Sequence, residues 1–125
     1  MSPRRVLLVE DHESSARPLA SLLRQEGYVV STAQTFSGAF SMIAGQPPVD
    51  ALVSDIALPD GDGCELLQRL RIYYGGRDIP AVALSALDGA ELEDECRRAG
   101  YRTFLRKPVK FEQVSAALAA LLAAS

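Results

Sequence analysis

The chain reads as an α/β protein, a parallel sheet with helices on both faces, and three observations in its 125 residues carry that reading. Short apolar runs alternate five times with stretches of helical periodicity. The runs are continuously apolar rather than alternating, as strands covered on both faces are. Most of them also end on a charged or hydroxyl residue beside a helix breaker. Parallel neighbours need crossover connections, and these are right-handed, so repeated strand-then-helix units wind the sheet on both sides.

In order along the chain, Val6-Leu7-Leu8-Val9 is the first strand and closes on Glu10-Asp11. Ser14 or Ser15 is placed to cap the first helix, whose apolar face is Ala16, Leu19, Leu22 and Leu23 and whose stop is Gly27. With Ser15 as the cap, Pro18 falls in the first turn, where a missing N–H costs nothing. Tyr28-Val29-Val30 makes the second strand, and Thr35 or Ser37 opens a helix through Phe36, Ala39, Phe40 and Ile43 that Gly45 and Pro47-Pro48 close.

The third run, Ala51-Leu52-Val53-Ser54, delivers Asp55 to its own carboxyl end, and Pro59 and Gly61 then prevent a strand or helix from continuing. Asp62 is placed to cap the third helix, with Glu65 three residues on as in a capping box, and Leu66, Leu67 and Leu70 as the inner face. Gly75-Gly76 breaks the chain again. Ile79 to Leu84 is the fourth strand, ending at Ser85. A short acidic helix around Leu92 to Arg98 is stopped by Gly100, with Glu91 to Glu95 as a solvated face. Arg102 to Leu105 is the fifth strand, stopping at Lys107-Pro108, and a last helix from about Phe111 to Ala124 buries Val114, Leu118, Leu121 and Leu122.

This length suits one domain over residues 1–125. Hydrophobic residues at 48% and charged ones at 23% fit a soluble globular protein. A net charge of −3, with the 13 basic residues scattered, argues against a nucleic-acid surface. Neither the short apolar run after Arg4-Arg5 nor the Ala/Leu tail at 116–124 reaches the about 20 residues of a membrane span, so the expected location is cytoplasmic. Cys64 and Cys96 form no CxxC pair and read as reduced structural thiols.

Ligands of open parallel sheets bind at the carboxyl ends of the strands, where the strand order reverses. Glu10, Asp11, Asp55, Ser85 and Lys107 all fall there. Carboxylates about 4 Å apart repel by about 4 kcal/mol at an effective dielectric near 20, so the cluster asks for a cation. All-oxygen donors suit Mg²⁺ rather than Zn²⁺, which favours His and Cys. His12, the one histidine, reads as an exposed loop side chain and not a ligand. Metal, lysine, hydroxyl and a central carboxylate together make an anion site, and phosphate is the commonest anion that uses them all.

Glu10-Asp11, then Asp55 with Pro59 and Gly63 behind it, then Ser85-Ala86, then Phe104 three before Lys107-Pro108, resembles the receiver domain of two-component response regulators. The resemblance covers the whole chain. It implies a flavodoxin-like (βα)5 fold with strand order 2-1-3-4-5, and a phosphoacceptor signalling domain rather than a turnover enzyme. By the same resemblance, Asp55 accepts a phosphoryl group from a histidine kinase or a histidine phosphotransfer domain. Asp11, Asp55 and the carbonyl of Ala57 hold Mg²⁺, and Glu10 acts through water. Lys107 pairs with the phosphoryl oxygens, and Ser85 with the N–H of Ala86 closes on them. Ser85 and Phe104 switch together, changing the binding of a downstream protein partner, and Lys107–Pro108 is cis. Glu10 stands where Asp is frequent, Ser85 for Thr and Phe104 for Tyr. The Leu58-Pro59-Asp60-Gly61-Asp62-Gly63 loop leans toward the receiver of a hybrid sensor histidine kinase. The alternatives are a receiver-like scaffold that is not phosphorylated and an aspartyl-phosphate phosphohydrolase. The second would commonly carry an acid where Ala57 stands.

Overall fold

The computed structural model describes residues 3–87 and 89–124. Five strands, β1 (Arg5–Val9), β2 (Val29–Ala33), β3 (Ala51–Asp55), β4 (Ala81–Ser85) and β5 (Thr103–Arg106), form one sheet in the order β2-β1-β3-β4-β5. Every neighbouring pair in it is parallel. Five helices follow the strands: α1 (Glu13–Gln25), α2 (Phe36–Ile43), α3 (Gly63–Tyr73), α4 (Ala90–Ala99) and α5 (Phe111–Ala123). This is the flavodoxin-like arrangement the sequence implies.

Strand side chains alternate between faces, and that divides the core in two. Leu7, Val9, Leu52, Ala81 and Ala83 pack with Ile43 of α2, Leu66, Leu67 and Leu70 of α3 and Cys96 of α4. Their neighbours Val6, Leu8, Ala51, Val53, Val82 and Leu84 pack with Ala16, Ala20 and Leu23 of α1 and Val114, Leu118 and Leu122 of α5. All residues of β3 and β4 are buried, which explains their unbroken apolar character, whereas edge strand β5 is half-buried or exposed throughout.

Several element ends differ from the sequence reading, each for a local reason. The N-cap of α1 is His12, with no side-chain capping bond, so neither Ser14 nor Ser15 plays that part, and Pro18 lies inside the helix beyond its first turn. Leu22 faces outward, and Ala20 takes the inner position instead. Strand β2 runs on to Ala33 because its register follows β1 to Val9. Asp62 does cap α3, its Oδ1 accepting from Cys64 N (2.6 Å) and Glu65 N (3.2 Å), while Glu65 meets Arg69 Nη2 at 3.2 Å. Thr35 Oγ1 caps α2 by accepting from Gly38 N at 2.9 Å. The Pro/Gly loop after Asp55 is not wholly irregular: Ala57–Leu58 pairs antiparallel with Gly61–Asp62.

Gly63 is where backbone approaches closest. Its N–H donates to Ile56 O at 2.7 Å, and a Cβ there would meet Ile56 Cα at 2.9 Å as well as the carbonyl oxygen of Asp55. Only a residue without a side chain lets α3 start this tightly behind β3. Gly63→Ala should therefore destabilise the chain by about 1–3 kcal/mol, an overpacking cost read from urea denaturation midpoints; an unchanged midpoint would show that the loop yields freely.

Candidate functional site

Strands β1, β3 and β4 and the residue just past β5 bring their carboxyl ends to one crevice. Glu10 follows β1 directly and is 2% exposed, Asp55 closes β3 at 3%, and Ser85 closes β4 at 6%. Lys107 enters from beyond β5, positioned by a backbone bond from its N–H to Ser85 O at 2.8 Å. The peptide after it, Lys107–Pro108, is cis, as the resemblance implies. Lys107 Nζ donates to both oxygens of Glu10 at 2.8 Å and lies 2.5 Å from Asp55 Oδ1. One cation thus faces two buried acids.

Asp55 remains under-satisfied in this arrangement. Among the described residues, neither of its oxygens has a hydrogen-bond partner of good geometry, although both are shielded from solvent. Burial first, then the neighbouring Glu10 carboxylate, push its carboxyl up to about 8, against the pull of Lys107. Asp11 goes the other way. Partial burial pushes its carboxyl up, but its close approach to Asp55 and the charge of His12 outweigh that and hold it below the usual carboxylate range. The two acids are thus pushed in opposite directions, Asp55 toward its protonated form and Asp11 toward its ionised form. Lys107 is opposed by burial, but its contacts with Asp55 and Glu10 raise it, so it stays charged.

Ala57 lies in the short hairpin after Asp55, paired with Asp62. Ser85 Oγ accepts from Leu87 N at 3.0 Å, so its hydroxyl is held by the following loop. Phe104 is half-buried against the α2–α3–α4 core. His12 is an exposed side chain, as expected, yet its Nδ1 lies 3.1 Å from Asp11 Oδ1 and 3.8 Å from Glu10 Oε1.

Three supporting contacts have no signal in the sequence. Asp60 accepts from Phe36 N at 2.6 Å and Ser37 N at 3.1 Å, tying the hairpin to the start of α2, and those bonds hold its carboxyl below the usual range. Ser54 Oγ donates to the carbonyl of Asp55 at 2.8 Å. Beside the crevice, an open cleft of about 730 Å³ runs between α1 and the β5–α5 connection, lined by Leu19, Leu22, Leu84 and Val109 and reaching Glu10 and Lys107.

A doubly wound sheet with an acid-rich, lysine-closed crevice at its switch point defines a class of α/β domain built to receive a small anion and a cation. The family model of the response regulator receiver domain matches residues 6–119. The chain belongs to that family, whose members are signalling domains of two-component systems rather than metabolic enzymes. It is 35% identical over 120 residues to the response regulator MprA of Mycolicibacterium vanbaalenii, covering 96% of this chain and 51% of MprA, so it spans about half that regulator's length. It is 36% identical over 104 residues to a 14.6 kDa protein in the sodA1 3'region of Leptolyngbya boryana, covering 83% of this chain and 79% of that protein. The structure of the chemotaxis response regulator CheY4 of Vibrio cholerae superimposes with a TM-score of 0.85 at 25% identity, over 95% of this chain and 98% of that one. Among the described residues, no helix is long and apolar enough to cross a membrane.

The raised Asp55 carboxyl sets a pH dependence. The unfolded chain loses this proton near 3.8 and the native chain near 8, so between those values the native state holds more protons and stability falls as pH rises. In chelator, the urea midpoint of the wild type should drop across that window and that of Asp55→Asn should drop less; parallel pH profiles would remove Asp55 as the cause.

Proposed function

We propose that residues 1–125 form one phosphoacceptor switch unit acting in the cytoplasm, in which Asp55 takes a phosphoryl group from a phosphohistidine of a histidine kinase or histidine phosphotransfer domain. One observation carries the reading: a nearly fully buried carboxylate with no hydrogen-bond partner of good geometry, placed at the mouth of a crevice against a lysine. An oxygen left so exposed to repulsion is stabilised by gaining a positive partner or by becoming part of a larger, better-ligated anion.

The donor set fits Mg²⁺, because it consists of carboxylate and carbonyl oxygens: Asp11, Asp55 and the carbonyl of Ala57, with Glu10 reaching through water. When bound, Mg²⁺ supplies the positive charge that ionises Asp55 and neutralises the transferring group. An ionised Asp55 oxygen then forms the bond to phosphorus as the bond from phosphorus to the histidine nitrogen breaks, and that nitrogen keeps the electron pair. Lys107 meets the equatorial oxygens, for which it must leave part of its bonding to Glu10. Ser85 exchanges the amide of Leu87 for a phosphoryl oxygen, joined by the N–H of Ala86. Phe104, on the strand beside Ser85, occupies the space that this movement opens. The altered surface is then read by a downstream protein. The domain catalyses its own phosphorylation in this way, and its own dephosphorylation when water attacks phosphorus, the bond from phosphorus to the Asp55 oxygen breaks, and the Asp55 carboxylate and inorganic phosphate are released.

Acetyl phosphate with Mg²⁺ should add a single phosphoryl group to the wild type, seen by intact mass, and none to Asp55→Asn. Lys107→Ala should slow labelling by about 10²-fold or more, the scale of losing one preorganised charge. Labelling that survives Asp55→Asn would reject the assignment.

The apolar cleft beside Lys107 gives the phosphohistidine partner its seat. Leu22, 37% exposed on α1, lines that cleft away from the acids. Leu22→Glu should reduce transfer from a phosphorylated histidine phosphotransfer domain by about tenfold or more while leaving acetyl phosphate labelling unchanged; equal loss of both would place Leu22 in the chemistry or the fold and not in docking.

A further inference from the structure

The two cysteines, 32 residues apart in sequence, are neighbours in space. Cys64 Sγ in the first turn of α3 lies 3.7 Å from Cys96 Sγ on α4, and both thiols are free. The approach is held by structure on each side. Asp62 fixes the Cys64 turn through its bond from Cys64 N at 2.6 Å. The hydroxyl of Tyr101, just past α4, donates to Gly63 O at 2.7 Å and ties the end of α4 to the same turn. A disulfide needs its sulfurs at about 2.05 Å, so about 1.7 Å of closure remains, within reach of side-chain rotation and a small helix shift.

We propose that Cys64 and Cys96 are a redox modification site, oxidised by a hydroperoxide to an intramolecular disulfide that staples the first turn of α3 to α4. Cys64 is half-exposed and Cys96 fully buried, so Cys64 meets the oxidant and Cys96 resolves. The Cys64 thiolate attacks one peroxide oxygen. The O–O bond breaks, the other oxygen leaves as water after protonation, and Cys64 becomes a sulfenic acid. Cys96 then attacks that sulfur, the S–O bond breaks and a second water leaves. Two thiols and one hydrogen peroxide thus give one disulfide and two waters, each sulfur losing one electron.

Surroundings set the character of the site. Burial and the Asp62 and Glu95 carboxylates hold both thiols up, Cys64 to about 12 with the Cys96 sulfur adding to the push, whereas the hydrogen bond from Cys64 pulls Cys96 part of the way back, so thiolate is scarce and oxidation needs sustained exposure. The same feature leaves the reduced pair without thiolate stabilisation, so the disulfide persists once made. The bridge lies directly behind the loop that leaves Asp55, and it would tie that loop's anchor to α4.

The test uses the full chain exposed to hydrogen peroxide, then unfolded, alkylated and weighed intact. The expected product is a monomer lighter by two hydrogens, about 2 Da, that takes up no alkylating agent and is restored by dithiothreitol. Cys96→Ser should instead give a sulfenic acid at Cys64 that dimedone captures, and Cys64→Ser should give neither product. Hydrogen exchange of the oxidised chain should slow in α4 and the first turn of α3. Two alkylated thiols after an exposure that oxidises the urea-unfolded chain would overturn the proposal, as would disulfides only between chains. Unchanged exchange in a bridged monomer would overturn the staple.

Discussion

The structure depends on one unfavourable interaction that it does not relieve, the burial of the Asp55 carboxylate among two other acids with a single lysine to share. Glu10 and Asp55 are both almost wholly removed from water, and Lys107 divides its charge between them. Carboxylates that share one lysine repel each other, and burial adds a solvation cost to each charge. The outcome is a carboxyl pushed up at Asp55 and held down at the less buried Asp11. That standing deficit of positive charge gives the crevice its appetite for a cation and for an anion that brings one.

A fold tolerates such a deficit only where its backbone cannot move to relax it. Strands β3 and β4 are buried at every position and hydrogen-bonded on both sides, so the backbone that carries Asp55 and Ser85 is fixed. The loop after Asp55 is pinned three times over, by Gly63 N to Ile56 O, by the Asp62 cap on α3 and by Asp60 on the first amides of α2. The last contact has an electrostatic sense as well, since the amino end of a helix favours an anion. Position at the switch between β1 and β3 follows from topology, but the stiffness of the site comes from these loop contacts.

Most of the fold was legible because it is encoded locally. The Asp62 and Thr35 caps and the Gly100 stop need only their immediate neighbours to form and appear where the sequence puts them, and each of the five apolar runs gives a strand, with ends set by its partners. Glu10, Asp11, Asp55, Ser85 and Lys107 come to one crevice for a similar reason, since each lies at or just past the carboxyl end of a strand of one parallel sheet. What the sequence concealed was decided by distant partners. Ser14 and Ser15 look like caps for α1, yet the helix begins at Glu13 behind His12, ahead of both. Asp60 reads as a turn residue, but its partners lie 24 and 23 residues earlier. Cys64 and Cys96 carry no spacing signal because the α3–α4 packing, not the chain, makes them neighbours.

The two walls of the crevice are built unequally, and the difference bears on which one can respond to a change of charge. The acid wall, on β1 and β3, is central in the sheet and pinned by its loops. The wall carrying Lys107 and Ser85 borders β5, an edge strand of half-buried residues, and the Ser85 hydroxyl is held by the amide of Leu87, whose side chain is 66% exposed. A phosphoryl group on Asp55 would add roughly −1.5 to −2 units of charge between these walls. Breaking the pinned contacts of β3 would cost several buried hydrogen bonds, whereas releasing Ser85 from one loop amide costs about one. Under the proposed phosphorylation, strain from the new charge would therefore pass through the Ser85 side chain and its loop into edge strand β5, where half-buried Phe104 sits, and would leave the acid wall in place.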